Sequence, residues 1–230
     1  MKKVIKFLVY SLLFLVAIIA ILGVSQHEKL PEGKSGPEAE ALADKMLAAL
    51  NKPAYDSLTL LKWSFPRGHH FVWNKKDNLV NVRWDDYEVD LDPETTTGIV
   101  KKGGLVMEGE EMEKAIQKAW ALFANDSFWL VAPYKVRDPG TTREIVELES
   151  GEKGLMVTYA SGGVTPGDSY LWVLGDDNRP KAWKMWVKII PIGGLEFSWE
   201  NWHQQGGAWF APIHQGPGPA SVDLKDLAIK

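Results

Sequence analysis

From Leu58 onward, apolar and polar residues alternate with a period of two in short runs. In the first run Leu61 and Trp63 alternate with Lys62 and Ser64, and similar runs begin near residues 69, 80 and 87. Turns that contain Gly, Pro, Asn or Asp separate the runs at a spacing of about ten residues, which is typical of an antiparallel meander. Because connections this short cannot make a parallel crossover, the pattern predicts antiparallel strands.

Two segments have a helical period instead. Apolar residues recur every three or four positions in residues 37–50 and again in residues 110–125. Pro37 suits the first position of a helix, whereas Asn51 and Pro53 predict its end. A second group of strands, beginning with the apolar run from Phe128 to Ala132, is predicted after the longer helix. The pattern as a whole predicts an α+β fold, in which two main helices cover the concave face of a single curved antiparallel sheet, a half-barrel.

An uncharged apolar run extends from Phe7 to Val24 and is preceded by lysines. Its length approaches the roughly 20 residues of a transmembrane helix, whereas a signal peptide has a shorter apolar core. We therefore expect residues 1–25 to be a transmembrane anchor, with a cleaved signal peptide as the alternative, and the domain to lie on the extracytoplasmic side of the cell envelope. Residues 26–36 are polar with Pro and Gly and predict a linker. Residues 37–230 are then one antiparallel β domain.

Composition excludes several classes of function. The chain has no cysteine, so it has no disulfide framework, no thiolate nucleophile and no Cys-ligated metal. The formal net charge is −4, and the arginines are dispersed along the chain. Because binding to phosphates needs clustered Lys and Arg, nucleic acid is not expected as a partner.

The chain contains 11 tryptophans. Each brings a large apolar area and one N–H that needs a partner when it is buried. This number exceeds what a core of this size usually needs, so we expect some rings to line a cavity for an apolar ligand. The alternative is a Trp-rich core with cross-strand ring pairs. The candidate cavity residues are Trp63, Phe65, Trp73, Trp84, Trp120, Trp129, Tyr170 and Trp172.

Polar candidates give weaker signals. His69 and His70 are adjacent and point to opposite faces of a strand, and no metal-ligand spacing occurs, so neither a metal nor a cofactor is predicted. His203 and His214 lie on either side of a predicted hairpin and could meet. No nucleophile elbow, phosphate loop or paired-carboxylate signature appears, so no catalytic residue is assigned. A polar loop cluster is expected, with Arg137 available to pair with either aspartate; its members are Asp126, Lys135, Arg137 and Asp168.

Several stretches together resemble a known family. They are FANDSFWLVAPYKVRDPG (123–140), TPGDSY (165–170), the hairpin around GDD (175–177), and a helix followed by KWSF (62–65) and by residues 69–73. These stretches resemble uncharacterised bacterial envelope proteins with a fold like that of the outer-membrane lipoprotein carriers, over most of residues 38–213. The resemblance implies a half-barrel of antiparallel strands wrapped over helices. It also implies a protein that is not an enzyme, since the carriers are not enzymes. The carriers hold acyl chains in a cavity.

The sequence therefore favours a non-catalytic envelope protein that binds an apolar ligand, a lipid or an acyl chain, between sheet and helices. Two other functions stay open. One is an envelope hydrolase that uses His203 and Asp168 on an unidentified substrate. The other is a structural protein whose aromatic face binds a partner protein or a sugar. An enclosed apolar volume favours the first function, and a flat exposed aromatic patch favours the last.

Overall fold

The computed structural model describes residues 27–230. The predicted N-terminal apolar helix falls in residues 1–26, outside the described residues. Within residues 27–230, no helix combines the length and the hydropathy that crossing a bilayer requires.

Between residues 27 and 230 the chain forms three α-helices: α1 (Pro37–Ala49), α2 (Lys52–Ser57) and α3 (Gly109–Val131). A 3₁₀ turn, Ala132–Tyr134, follows α3. Asn51 adopts a left-handed conformation with φ 57° and separates α1 from α2. Helix α1 ends before Asn51 as predicted, and Pro53 lies in the first turn of the separate helix α2, where its missing N–H costs nothing. The apolar run from Phe128 was predicted as a strand but forms the last turns of α3, since a short apolar run has no period that distinguishes the two structures.

The predicted meander is present as the larger of two main sheets. Its strand order is β16-β1-β2-β3-β4-β5-β6, with every neighbouring pair antiparallel. The strands are β1 (Leu60–Phe65), β2 (His69–Asn74), β3 (Leu79–Trp84), β4 (Tyr87–Asp92), β5 (Thr97–Lys102), β6 (Leu105–Val106) and the C-terminal β16 (Lys225–Ile229).

A second sheet has the order β11-β10-β9-β8-β7 and is also antiparallel. Its strands are β7 (Thr141–Glu147), β8 (Lys153–Tyr159), β9 (Asp168–Leu174), β10 (Pro180–Trp186) and β11 (Leu195–Ser198). Two hairpins complete the described strands: β12 (His203–Gln205) with β13 (Ala208–Phe210), and β14 (Ile213–Gln215) with β15 (Ser221–Asp223).

The α+β class and the antiparallel pairing are confirmed, whereas hydrogen bonding divides the strands into two main sheets instead of the single one predicted. The chain leaves the larger sheet at β6, which has two residues and offers few ladder hydrogen bonds. It then forms α3 before β7 starts the second sheet, and the free side of β7 bonds to Lys34. Neither sheet closes into a barrel.

One apolar core connects both sheets. On β3, alternate residues face it: Val80, Val82 and Trp84 are buried, while the residues between them are not. Helix α1 packs on β7 and β8, and α3 packs on β3, β4 and β5. The rings at the C-terminal end of α3 reach the second sheet. Helix α3 therefore contacts both sheets.

Residues 27–34, predicted to be part of a linker, form a strap on the second sheet. The Glu28 N–H donates to the Gly193 carbonyl at 2.9 Å, and the Glu28 carbonyl accepts the indole N–H of Trp186 at 2.8 Å. At the other end of the strap, Lys34 and Ile145 exchange two backbone hydrogen bonds of 2.9 Å. The strap therefore begins at the turn between β10 and β11 and ends beside β7.

Candidate functional site

Aromatic rings from α3 and the second sheet pack into one group, called the aromatic cluster below. Each ring has a neighbour in the group at a centroid separation of 5.3 Å or less. Its members are Phe128, Trp129, Tyr159, Tyr170, Trp172, Trp183, Phe197, Trp199 and His214.

Strand register assembles this cluster. Tyr170 and Trp172 lie two residues apart on β9 and so share one face of the sheet. Trp183 of β10 lies directly opposite Trp172, and their ring centroids are 5.0 Å apart. Helix α3 covers these rings with Phe128 and Trp129, whose centroids lie 5.8 and 5.1 Å from that of Trp183. Trp183 is therefore the centre of the cluster.

The cluster has a deep part and an accessible edge. Trp172, Trp183 and Trp199 are 0%, 1% and 2% exposed. Phe128 and Tyr170 are partly exposed and lie against each other at 4.9 Å. The accessible edge is therefore formed by the C-terminal end of α3 and the beginning of β9.

Five buried polar atoms of the cluster have no hydrogen-bond partner among residues 27–230. They are Tyr159 Oη, Trp172 Nε1, Trp183 Nε1, Trp199 Nε1 and His214 Nε2. Outside the cluster, the indole N–H groups of Trp63 and Trp84 are also unpaired, whereas that of Trp202 donates to the Pro180 carbonyl at 2.9 Å. Buried polar groups are normally paired, and leaving one unpaired costs about 1–3 kcal/mol. The cluster thus concentrates hydrogen-bonding capacity that the protein itself does not use.

His214 is uncharged at neutral pH. Burial lowers the pKa of its imidazole to about 4, against the opposing effect of the Ser198 and Trp129 carbonyls. Its Nδ1–H donates to the Ser198 carbonyl at 3.0 Å, which leaves Nε2 as a hydrogen-bond acceptor. Burial also raises the pKa of the Tyr159 hydroxyl, which therefore stays protonated. The unpaired groups are thus neutral: three indole donors, one phenol and one imidazole acceptor.

Three of the predicted cavity residues belong to this cluster: Trp129, Tyr170 and Trp172. The other five lie at the larger sheet, each with its own partner. The pairs are Trp63 with Phe71 at 4.8 Å, Trp73 with Phe123 at 5.3 Å, Trp84 with Tyr87 at 5.1 Å, Phe65 with His69 at 6.2 Å, and the Trp120 indole N–H with the Pro93 carbonyl at 3.2 Å. The structure therefore brings three of the predicted residues together in the cluster and leaves the other five in separate contacts at the larger sheet.

Two open surface depressions are present in the described part of the chain. One, of about 330 Å³, lies at turns of the larger sheet and is lined by Arg83, Trp84 and Lys101 among others. The other, of about 430 Å³, lies beside Glu28 and Leu195. The rings of the aromatic cluster line neither depression. Because Trp172, Trp183 and Trp199 are at most 2% exposed, access to the deep part of the cluster requires rings at its accessible edge to move.

The predicted polar loop cluster does not form, because each member has a different partner. Arg137 bonds to Glu40 at 2.6 Å and to Asp44 at 2.7 Å, so the expectation that it pairs with Asp126 or Asp168 is wrong. Helix α1 places these two acidic residues beside Arg137, which sequence spacing does not reveal. Lys135 pairs with the nearby Asp138.

The two aspartates have separate roles. The buried Asp168 accepts hydrogen bonds from the Thr165 hydroxyl and, at 3.0 Å, from the backbone N–H of Lys188, so it joins two loops. Asp126, on α3, accepts a hydrogen bond of 2.7 Å from Nδ1 of His69. Burial raises the pKa of the Asp126 carboxyl, while hydrogen bonds from Asn125 and His69 oppose that shift. The contact between His69 and Asp126 joins α3 to β2.

No hydrolytic arrangement forms among the described residues that were candidates for one. Asp168 accepts hydrogen bonds from Thr165 and Lys188 in the two loops, and His203 bonds to the Asn201 carbonyl at 2.9 Å. The Ser64 hydroxyl lies between His70 Nδ1 at 2.8 Å and an Asp226 carboxylate oxygen at 2.7 Å. In a catalytic triad the histidine lies between serine and aspartate, so this order does not activate the serine. Residues 27–230 contain no group of three potential metal ligands.

Comparisons with known proteins found matches among solved structures alone. No family model matches the chain, and no curated protein does. Among solved structures, a DUF1329 family protein from Desulfovibrio piger is similar, with 12% identity and a TM-score of 0.40 over 82% of this chain and 92% of that one. A likeness of this degree leaves the function to be argued from the residues of this chain.

Proposed function

We propose that this protein is a non-catalytic, membrane-tethered domain of the cell envelope that binds an uncharged apolar ligand in its aromatic cluster. The ligand class is an ester-linked acyl chain, as in a lipid. One observation carries the proposal: five of the eight buried polar atoms that have no partner among residues 27–230 lie together in this cluster, and the other three, on Trp63, Trp84 and Arg179, lie outside it.

The chemistry of the cluster fits such a ligand. Aromatic rings provide apolar surface, and each Å² of apolar area removed from water stabilises a complex by about 25 cal/mol. Ester carbonyls accept hydrogen bonds, so they match the indole and phenol donors of Trp183 and Tyr159. A charged ligand is disfavoured, because none of the cluster's own unpaired groups carries a charge at neutral pH.

The half-barrel arrangement of a lipoprotein carrier is part of this proposal. Helix α3 contacts both main sheets, as a helix enclosed by a curved wall of strands would. The ligand would enter at the accessible edge, where Phe128 and Tyr170 are partly exposed. Displacement of these rings would open the way to the indoles beneath them.

Brominated acyl esters test this function directly. All 11 tryptophans lie at or beyond residue 63, so indole quenching reports on the domain and not on the N-terminal segment. The full chain in mild detergent, titrated with the methyl ester of dibromostearic acid, should lose fluorescence in a saturable way at about one equivalent. Tyr159→Phe should weaken this binding by up to about tenfold, because it removes one hydrogen-bond donor.

Tyr87→Phe is the matched control for this titration. Its hydroxyl donates to Glu111 at 2.9 Å on the larger sheet, away from the cluster, so its binding curve should match that of the unaltered chain. Quenching that rises without saturation, and equally in all three proteins, would show that the ester only partitions into detergent. That result would contradict the proposed site.

A further inference from the structure

The point at which the chain joins the domain is fixed. The His27 ring accepts the Gly193 N–H at 3.0 Å, and Glu28 bonds to the Gly193 carbonyl. The Glu28 carboxylate also pairs with Lys184 at 2.8 Å. The first described residues are thus bonded to β10 through Lys184 and to the turn between β10 and β11 through Gly193.

The apolar run ends at Val24, only three residues before His27. A chain advances at most about 3.3–3.6 Å per residue, so these two positions lie within about 10 Å of each other. If the run spans a bilayer, the turn at Gly193 lies close to the membrane surface, within the thickness of the polar headgroup layer.

Exposed apolar side chains occupy this part of the domain. Ile189, in the turn between β10 and β11, is 63% exposed, and Val164, in the loop between β8 and β9, is 46% exposed. The backbone N–H of Lys188 bonds to Asp168, and its ammonium group bonds to the Pro166 carbonyl. These contacts hold the two loops side by side, so both apolar residues belong to one end of the second sheet.

We propose that the loops 161–167 and 187–194 form a membrane-contact surface that inserts Ile189 and Val164 into the lipid interface. The occupant of this surface is the bilayer into which the chain's own N-terminal run is inserted. The proposal rests on the membrane tether of the proposed function and not on its ligand. Apolar side chains at the headgroup boundary add affinity in proportion to the area they bury.

This orientation has a consequence for the aromatic cluster. Tyr159 lies opposite Asp168 in the ladder between β8 and β9, and Tyr170 lies two residues further along β9. Both tyrosines are therefore at the membrane-facing end of the sheet. In this orientation the accessible edge of the cluster lies near the end of the second sheet that is closest to the bilayer, from which an acyl ligand would come.

Single-cysteine labelling tests the surface, since the natural chain has no cysteine. The variants Ile189→Cys and Val164→Cys carry a nitroxide, and the full chain is reconstituted in vesicles of phosphatidylcholine and phosphatidylglycerol. Leu105→Cys is the control, because Leu105 is 76% exposed on β6 of the other sheet. Labels at residues 189 and 164 should collide with a water-soluble nickel chelate several-fold less often than the label at residue 105, and more often with oxygen dissolved in lipid.

Equal nickel accessibility at all three positions would overturn the membrane-contact surface. So would an intact mass, for protein isolated from native membranes, that corresponds to a chain beginning after Val24. Both outcomes are separable from failure of the ligand proposal, because the brominated-ester titration is done in detergent and does not depend on how the domain meets a bilayer.

Discussion

Lowering the pH from 7 to 4 should reduce the free energy of unfolding by about 3 kcal/mol through His214 alone. Burial lowers the pKa of its imidazole from an ordinary value of 6.5 to about 4 in the folded protein. The unfolded chain therefore binds the proton more readily than the folded one does. The contribution of neutral His214 to the free energy of unfolding is complete above pH 6.5 and is lost as the pH falls towards 4. Below pH 4 it changes little further.

Urea unfolding followed by tryptophan fluorescence between pH 4 and 7.5 measures this effect, as the difference between the natural chain and His214→Leu. Taking the difference removes other titrations, such as that of Asp126, whose raised pKa stabilises the folded protein as the pH falls. His203→Gln is the control and should keep the full acid sensitivity. A difference that does not change between pH 7 and pH 4 would show that His214 takes up a proton without cost in the folded protein.

Removing one buried tyrosine hydroxyl should stabilise the ligand-free protein, and removing another should destabilise it. Tyr159→Phe deletes a hydroxyl that has no partner among the described residues, so the free energy of unfolding should rise by about 1 kcal/mol. Tyr134→Phe deletes a hydroxyl that lies 2.5 Å from the Trp209 carbonyl and 3.1 Å from that of Leu50. The free energy of unfolding of this variant should therefore fall by about 1–2 kcal/mol.

The two variants make the same change, a buried tyrosine to phenylalanine, and differ only in what the hydroxyl contacts. Urea unfolding of delipidated protein at pH 7 gives both values. If Tyr159→Phe destabilises the protein as much as Tyr134→Phe does, its hydroxyl has a partner in the folded state. The unpaired atoms of the cluster would then no longer point to a ligand.

The parts of the fold that depend on local pattern could be predicted from the sequence. Alternation around Trp63 and Trp84 gives β1 to β4, and helical spacing gives α1 and the first part of α3. The run at Phe128 was misassigned because five apolar residues fit a buried strand and a buried helix equally well. The division into two sheets depends on where the ladder hydrogen bonds stop, which no local pattern records.

The candidate site was only partly visible in the sequence. The abundance of tryptophan pointed to an unusual aromatic group, and Trp129, Tyr170 and Trp172 were identified as members. Trp183, the centre of the cluster, and His214 were missed as cavity residues, because their contacts join positions far apart in the chain. A count of aromatic residues also cannot show which indole N–H groups are left unpaired, since this depends on every neighbouring carbonyl.

The strap shows the same limit. Residues 27–34 have the polar composition of a linker, yet Glu28 and Lys34 bond to opposite parts of the second sheet. The composition of a segment indicates how readily water solvates it. It does not indicate which backbone groups of the domain form hydrogen bonds with that segment. The bonds of His27 and Glu28 to Gly193 fix the start of the strap at one end of the second sheet, and the membrane-contact surface depends on that position.

Mass spectrometry of organic extracts from the full chain, purified from its native membranes in mild detergent, tests the central claim most directly. The proposed function predicts about one equivalent of an acyl-bearing lipid with the unaltered protein and markedly less with Tyr159→Phe purified in parallel. Extracts with no lipid above the level found with an unrelated membrane protein of similar size would contradict a binding role for the aromatic cluster.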